Sequence, residues 1–312
     1  MASHKVQSFV AMLDKEIGDV DEETYDLFSS PSRLQDLGMV DPTASSIDLT
    51  VHDRDLTIRQ SPGLLQSRRN EGTTGAVLWR TTVAVAEWMA RPENILFTSG
   101  VMGPDRSMLE LGSGVAGLLA QVLAPRLRTF IATDQPHVLK MLRANIQSGK
   151  SVVDHNKSKA SSRRSGEQDV RILSLDWEED DARRQLRSHG LRDGVDALVA
   201  CDCVFNDALI EPFVQTCVDI CTLRRRDNDD NNINDHDVND RPSGDSSSGA
   251  PPTLCIIAQH LRHADVFEQW LSRFIRDFHV WRLPDSWLGP TLQAGGEFVV
   301  HMGMLRKSSL NA

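Results

Sequence analysis

The chain has 312 residues, 40% of them hydrophobic and 5% aromatic, and 34 Lys and Arg stand against 44 Asp and Glu for a formal net charge of −10. This is a globular composition, and its apolar runs stop well short of the ~20 residues of a membrane span. The N-terminus MASHKVQSFVAMLDKEIGDVDEE is too polar and acidic for a signal peptide, and five cysteines confined to the second half are a poor disulfide framework. The expectation is a soluble, monomeric protein of the cytoplasm, with the nucleus as the alternative. Tyr25 is the only tyrosine and lies far from every motif below, which disfavours a mechanism needing a phenol in the central site.

Residues 1–45 are acidic and weakly periodic, and they read as a flexible or loosely helical arm. Ile47, Leu49 and Val51, then Leu56 and Ile58, alternate on either side of His52-Asp53-Arg54-Asp55, which predicts a β-hairpin within 46–69, appended to the main core. From Gly75 the spacing turns helical, with Trp79, Val83, Ala86 and Ala90 on one face. Five short apolar runs follow as strand candidates: Met108 to Leu111, Thr129 to Thr133, Val170 to Leu175, Val195 to Ala200 and Leu254 to Ala258. Helical spacing separates them at 115–123, 136–146, 209–223 and 264–274. Such alternation predicts an α/β fold of βαβ units, a mainly parallel sheet covered on both faces, over a single domain at 70–308.

Two stretches break the pattern. Residues 148–169 are rich in Ser, Lys and Arg, and 224–252 in Asn and Asp. Both lack the apolar side chains that would offset the entropy of ordering them, and both are expected as disordered insertions. The second has oxygen ligands for calcium, yet it lacks the turn glycine and distal glutamate of an EF-hand, so a solvated linker is preferred. It holds six aspartates and no Lys or Arg between 227 and 240, so the net acidity says little about a functional surface.

The most informative stretch is Met108-Leu109-Glu110-Leu111-Gly112-Ser113-Gly114-Val115-Ala116-Gly117, a strand running into G-x-G-x-x-G ahead of a helix. Glycines there let a backbone turn sharply and approach a ligand at the helix N-terminus. Asp134 ends the next strand, 22 residues after Gly112, where a carboxylate can accept from both hydroxyls of a ribose. A nicotinamide dinucleotide and S-adenosylmethionine both offer that ribose, and charge separates them. Glu110, Asp134, Asp176 and Asp202 fall at the ends of four successive strands, which opposes a pyrophosphate and suits a sulfonium and an ammonium.

On these residues the chain resembles the family-16 lysine methyltransferases, a branch of the seven-strand class I methyltransferases. The resemblance is carried by Gly75-Ala76-Val77-Leu78-Trp79, Leu109-Glu110-Leu111-Gly112-Ser113-Gly114, Ala132-Thr133-Asp134, Leu175-Asp176-Trp177 and Asp202-Cys203-Val204-Phe205, in the family order. It implies a three-layer, Rossmann-like seven-stranded sheet with an N-terminal hairpin extension. It implies too that Trp79, Glu110, Leu111, Gly112, Ser113, Gly114, Asp134, Asp176, Trp177 and Cys201 form the S-adenosylmethionine site. Within that set, Gly112 to Gly114 would cradle the methionine part, Asp134 hold the ribose, and Trp177 and Asp176 meet the adenine. Asp202 would orient the target lysine and Phe205 wall its channel, although many family members carry tyrosine at that second position.

The lysine must arrive neutral, and desolvation with repulsion from the sulfonium favours that, so no strong base is required. Cys201, Cys203, Cys217 and Cys221 lack the spacing of a zinc site and read as small core residues, so no metal is expected. His260-Leu261-Arg262-His263 could touch substrate or simply begin a helix. The resulting expectation is protein-lysine N-methylation of a translation-related protein, with a large-subunit ribosomal protein as the partner and no direct nucleic-acid or membrane binding. Rival readings are another target such as a chaperone, an elongation factor or a small molecule, an inactive cofactor-binding scaffold, and, last, a nicotinamide-dependent oxidoreductase.

Overall fold

The computed structural model describes residues 2–29, 37–67, 73–154, 169–224, 250–293 and 296–307. The alternation read from the sequence forms one seven-stranded sheet: β3 (Ser107–Leu111), β4 (Thr129–Asp134), β5 (Asp169–Ser174), β6 (Ala197–Cys201), β7 (Leu254–His260), β8 (Phe278–Arg282) and β9 (Phe298–Leu305). The order across it is β5-β4-β3-β6-β7-β9-β8, preceded in the chain by the separate hairpin β1 (Ser46–Val51) and β2 (Arg54–Arg59). β3 to β7 run parallel, while β9 is antiparallel to both β7 and β8. Chain order reverses between β3 and β6, the place where open α/β sheets bind ligands.

Ten helices complete the described fold: α1 (Ala2–Val10), α2 (Val20–Phe28), α3 (Pro62–Leu65), α4 (Arg80–Ala90), α5 (Ile95–Thr98), α6 (Leu118–Leu123), α7 (Leu139–Asp154), α8 (Ala182–Ser188), α9 (Ile210–Thr222) and α10 (Ala264–Asp277). Because strand side chains alternate faces, Met108, Phe130, Val199 and Ile256 join α4, α6 and α7 in one apolar layer. Leu109, Ile131, Leu198 and Ile257 join α8, α9 and α10 in the other. The hairpin pairs in full register, Ile47 opposite Ile58, with a turn of only His52 and Asp53.

Three expectations change. The N-terminal arm is not loose: α1 buries Val6 and Phe9, the latter 5.3 Å from the Trp287 ring, and α2 packs on α10. Between them, the Ile17 N–H donates to the Val280 carbonyl at 2.8 Å, so the arm covers the open edge of β8, which would otherwise present unpaired backbone groups. Glu16 binds His279 and Arg306 (2.9 and 2.8 Å) and Glu23 binds His301 (2.9 Å), pinning the arm to β8 and β9 by charge. Secondly, α7 continues to Asp154 and so runs into the stretch expected as a loop from 148; most of the remainder, 155–168, lies outside the described residues, as does the Asn/Asp run at 225–249. Thirdly, β8, β9 and α8 were not singled out from the sequence, although Phe298-Val299-Val300 is an apolar run.

Candidate active site

A cavity of about 310 Å³ opens at the carboxyl ends of β3 to β6. Its floor is the turn after β3. Gly112 has φ +68°, and a Cβ there would lie 2.8 Å from the Cys203 Sγ and 3.5 Å from the Trp177 ring, so only glycine admits this course. The Gly114 N–H donates to Asp134 Oδ2 at 2.7 Å and the Gln135 N–H to Oδ1 at 2.8 Å, which ties the loop to the end of β4. Burial pushes the Asp134 carboxyl above its usual range, and those two N–H groups offset part of the effect.

Trp177 reaches the cavity from the segment after β5, held edge-on against Phe213 with ring centroids 5.2 Å apart. Asp176 beside it accepts from the Gln135 side chain at 2.8 Å. Trp79 lines the opposite side just before α4, its indole N–H bound to the Thr74 carbonyl at 2.9 Å. The end of β6 adds Cys201, Asp202 and Cys203, with Phe205 beyond them at the cavity wall. Burial raises both thiols well above their usual range. Among the described residues no group of His, Cys, Asp and Glu is placed to hold a metal ion.

Of the twelve residues expected at the site, ten line this one cavity and two do not. Leu111 is wholly buried in the layer under α9, because strand alternation turns its side chain from the ligand side. Glu110 points to the layer on the other face and lies behind the cavity, 1% exposed, so it makes no contact there. Burial carries its carboxyl to about 8; the Ser113 hydroxyl opposes the rise and the Asp134 charge adds to it. Glu110 Oε2 and Ser113 Oγ are both buried, and neither makes a hydrogen bond of ordinary length and angle, so the hydroxyl acts on the carboxyl only as a nearby dipole.

Arg262 is the partner that sequence reasoning did not join to the site. It grips Asp202 from the segment after β7, and the only signal was its place in a polar turn beyond a strand. Glu178 and Gln135 also line the cavity unanticipated. Among the described lining residues, Asp134, Asp176, Glu178 and Asp202 carry carboxylates and none is Lys or Arg, a field that favours a cationic ligand. The unpartnered Ser113 hydroxyl, the glycine cradle and this charge fit the sulfonium, ammonium and ribose of S-adenosylmethionine.

A family model described as lysine methyltransferase matches residues 58–226. The chain belongs to the lysine methyltransferase family. Membership agrees with S-adenosylmethionine as the methyl donor. Among curated relatives, a ribosomal lysine N-methyltransferase 5 of Zygosaccharomyces rouxii is 29% identical over 251 residues, covering 72% of this chain and 71% of that protein. A Schizosaccharomyces pombe protein named diaminohydroxyphosphoribosylamino-pyrimidine deaminase is 31% identical over 266 residues, covering 85% of this chain and 53% of its own length. This chain thus spans about half of that relative. The solved Pyrococcus abyssi tRNA (uracil-54, C5)-methyltransferase in complex with S-adenosyl-L-homocysteine overlays with a TM-score of 0.36 and 12% identity, over 84% of this chain and 45% of that one.

Proposed function

We propose that this chain is an S-adenosylmethionine-dependent protein-lysine N-methyltransferase whose substrate is a large-subunit ribosomal protein. The observation that carries the reading is the carboxylate-lined cavity bounded by the glycine cradle, Asp134 and Asp202, in a chain of the lysine methyltransferase family. Relatives named ribosomal lysine N-methyltransferase support the choice of target. The deaminase named for the fission-yeast relative is not carried over, since the match leaves nearly half of that protein uncovered. The enzyme works as a monomer in the cytoplasm or nucleus, where ribosomal proteins are made and assembled.

Bound there, S-adenosylmethionine supplies an electrophilic methyl group on a sulfonium. Gly112 and Gly114 leave room for its methionine part, and Asp134 keeps a free lone pair on each oxygen for the ribose hydroxyls. Trp177 offers an apolar face and Asp176 an acceptor to the adenine. Glu110, behind the loop, holds its proton near neutral pH until a cationic ligand favours its ionised form. Asp202 accepts an N–H from the incoming lysine and aims its lone pair, while Phe205 and Trp79 keep water from the channel. Most of the acceleration comes from this positioning, because an in-line displacement needs alignment more than proton transfer.

The test incubates the protein and labelled S-adenosylmethionine with large ribosomal subunits from cells lacking the enzyme, followed by identification of the labelled residue. A methylated lysine on a ribosomal protein is expected. Label only on a chaperone or elongation factor overturns the target and keeps the enzyme class. Absence of calorimetric binding of S-adenosylmethionine, with quenching by NADH, overturns the class. Asp134→Ala is expected to abolish cofactor binding, and Asp202→Asn to spare binding while removing turnover.

A further inference from the structure

An acceptor beside the target lysine creates a conflict. A lone carboxylate aims the amine but also stabilises its ammonium form, which has no lone pair for attack. Asp202 is not alone. Arg262 Nη2 donates to its Oδ1 at 2.7 Å and Nη1 to its Oδ2 at 2.8 Å, a two-pronged fork with the side chains 11% and 2% exposed. The same Nη1 donates to the Leu37 carbonyl at 2.7 Å and lies 3.3 Å from His260 Nδ1, and the guanidinium carbon sits 5.6 Å from the Trp79 ring centroid. The fork is therefore fixed from the N-terminal segment, from β7 and from the cavity wall together.

Asp202 is held as firmly. Its φ of +58° is left-handed, a conformation that needs support in a residue with a side chain, and its N–H donates to the Ala258 carbonyl at 2.8 Å. The His260 N–H approaches Oδ1 at 3.4 Å. Asp202 lines the cavity, whereas Arg262 does not. An ionised carboxylate has about four lone-pair sites; the fork takes two and the His260 N–H a third, which leaves one on Oδ2.

We propose that Arg262 is a charge-compensating positioning residue, whose fork cancels the Asp202 charge while leaving that carboxylate free to accept an N–H from a neutral lysine. The proposal rests on the lysine-methylation reading above. Arginine suits the role because its guanidinium stays charged at every working pH and matches a carboxylate in two prongs. A guanidinium near the amine further disfavours the ammonium. Burial holds the Asp202 carboxyl above its usual range, and the Arg262 charge and fork, with the His260 N–H, offset part of that rise. The other titratable groups about Asp202 are Cys201 at the end of β6, Cys203 just beyond it, and His260 on β7 with Glu297 4.0 Å beyond it; Glu110 on β3 and Asp134 at the end of β4 face those two thiols.

The experiment follows kcat from pH 6.5 to 9.5 with the full chain, labelled S-adenosylmethionine and large ribosomal subunits from cells lacking the enzyme. In Arg262→Met, Asp202 and the lysine should hold one proton between them to higher pH, moving the deprotonation limb up by about two pH units for the loss of a cation about 5 Å away in a partly screened site. At pH 7.5 that is a fall of about 100-fold, recovered at high pH, with calorimetric S-adenosylmethionine affinity within threefold of wild type. Arg262→Lys should keep the limb near its original place, since the ammonium keeps the compensating charge. His260→Gln shows whether any limb belongs to the imidazole. A profile lowered evenly at every pH, or cofactor affinity lost along with activity, overturns the proposal. A second readout needs no turnover: the Asp202 carboxyl carbon, followed by NMR against pH, should titrate higher in Arg262→Gln than in wild type, and an unchanged titration also overturns it. A wild-type protein that methylates no lysine instead defeats the functional reading, and the NMR arm still decides whether Arg262 keeps Asp202 ionised.

Discussion

Glu110→Gln isolates the energetics of a buried acid behind the glycine loop. The wild-type carboxyl is 1% exposed, one oxygen has no hydrogen-bond partner, and burial carries its pKa from 4.5 to about 8. Between those values the folded chain keeps a proton that the unfolded chain has lost. Stability therefore falls as pH rises through that window, by about 1.4 kcal/mol per unit and about 5 kcal/mol in all, and falls no further above it. Glutamine keeps the shape and does not titrate, while the other buried acids are common to both proteins and cancel. Wild type and variant should thus be of similar stability near pH 5, and the variant more stable by several kcal/mol at pH 8. Urea unfolding of the ligand-free proteins from pH 5 to 9 measures the difference. Parallel curves would refute burial as the cause of the shift. A companion measurement ties the acid to function: a cationic ligand at the loop favours the ionised form, so binding of S-adenosylmethionine near pH 7 should release protons. Calorimetry in buffers of different ionisation enthalpy should detect that release in wild type and find it reduced in Glu110→Gln.

Gly112→Ala places a methyl group 2.8 Å from the Cys203 sulfur on a left-handed residue, so it should cost about 1–3 kcal/mol and weaken S-adenosylmethionine binding at least tenfold by calorimetry; unaltered affinity would remove the cradle from the account. Trp177→Ala should weaken cofactor binding about tenfold or more, with Trp177→Phe recovering part of it, because the indole presents its apolar surface between Phe213 and the glycine loop. Glu23→Gln should destabilise the chain by about 1–3 kcal/mol near pH 6, as judged by denaturant unfolding. Burial raises the Glu23 pKa, but the His301 hydrogen bond and charge, with Arg282, lower it further than burial raises it. The pair's contribution is then present above pH 4.5 and lost as pH falls through the lower folded value, so the variant should show a shallower acid limb; an identical acid limb would mean that the arm is not held by this charge.

Much of the fold was legible because its signals are local. A strand ending in Gly112-Ser113-Gly114 with a helix behind it is written in neighbouring residues, and so is an acid at the end of the following strand. The hairpin at 46–59 was legible for the same reason, since alternation of period two survives in any context. Glu110 and Leu111 mark the limit: adjacent in one motif, they face opposite layers, and neither lines the cavity. The packed arm escapes local reading because α1 and α2 are short helices, marginal in isolation, whose stability comes from the β8 edge and α10, partners 239 to 278 residues away in the chain.

Composition, period and turn chemistry thus determined the class of sheet, the glycine cradle and the acids at the strand ends, since each depends on residues within a few positions of one another. The strand order was decided only in three dimensions. It sets β7 beside β6, brings Arg262 onto Asp202 across 60 residues, and stations the N-terminal segment against that pair. Such contacts leave no periodic trace in the chain, because a salt bridge depends on which strands are neighbours and not on the spacing between its partners.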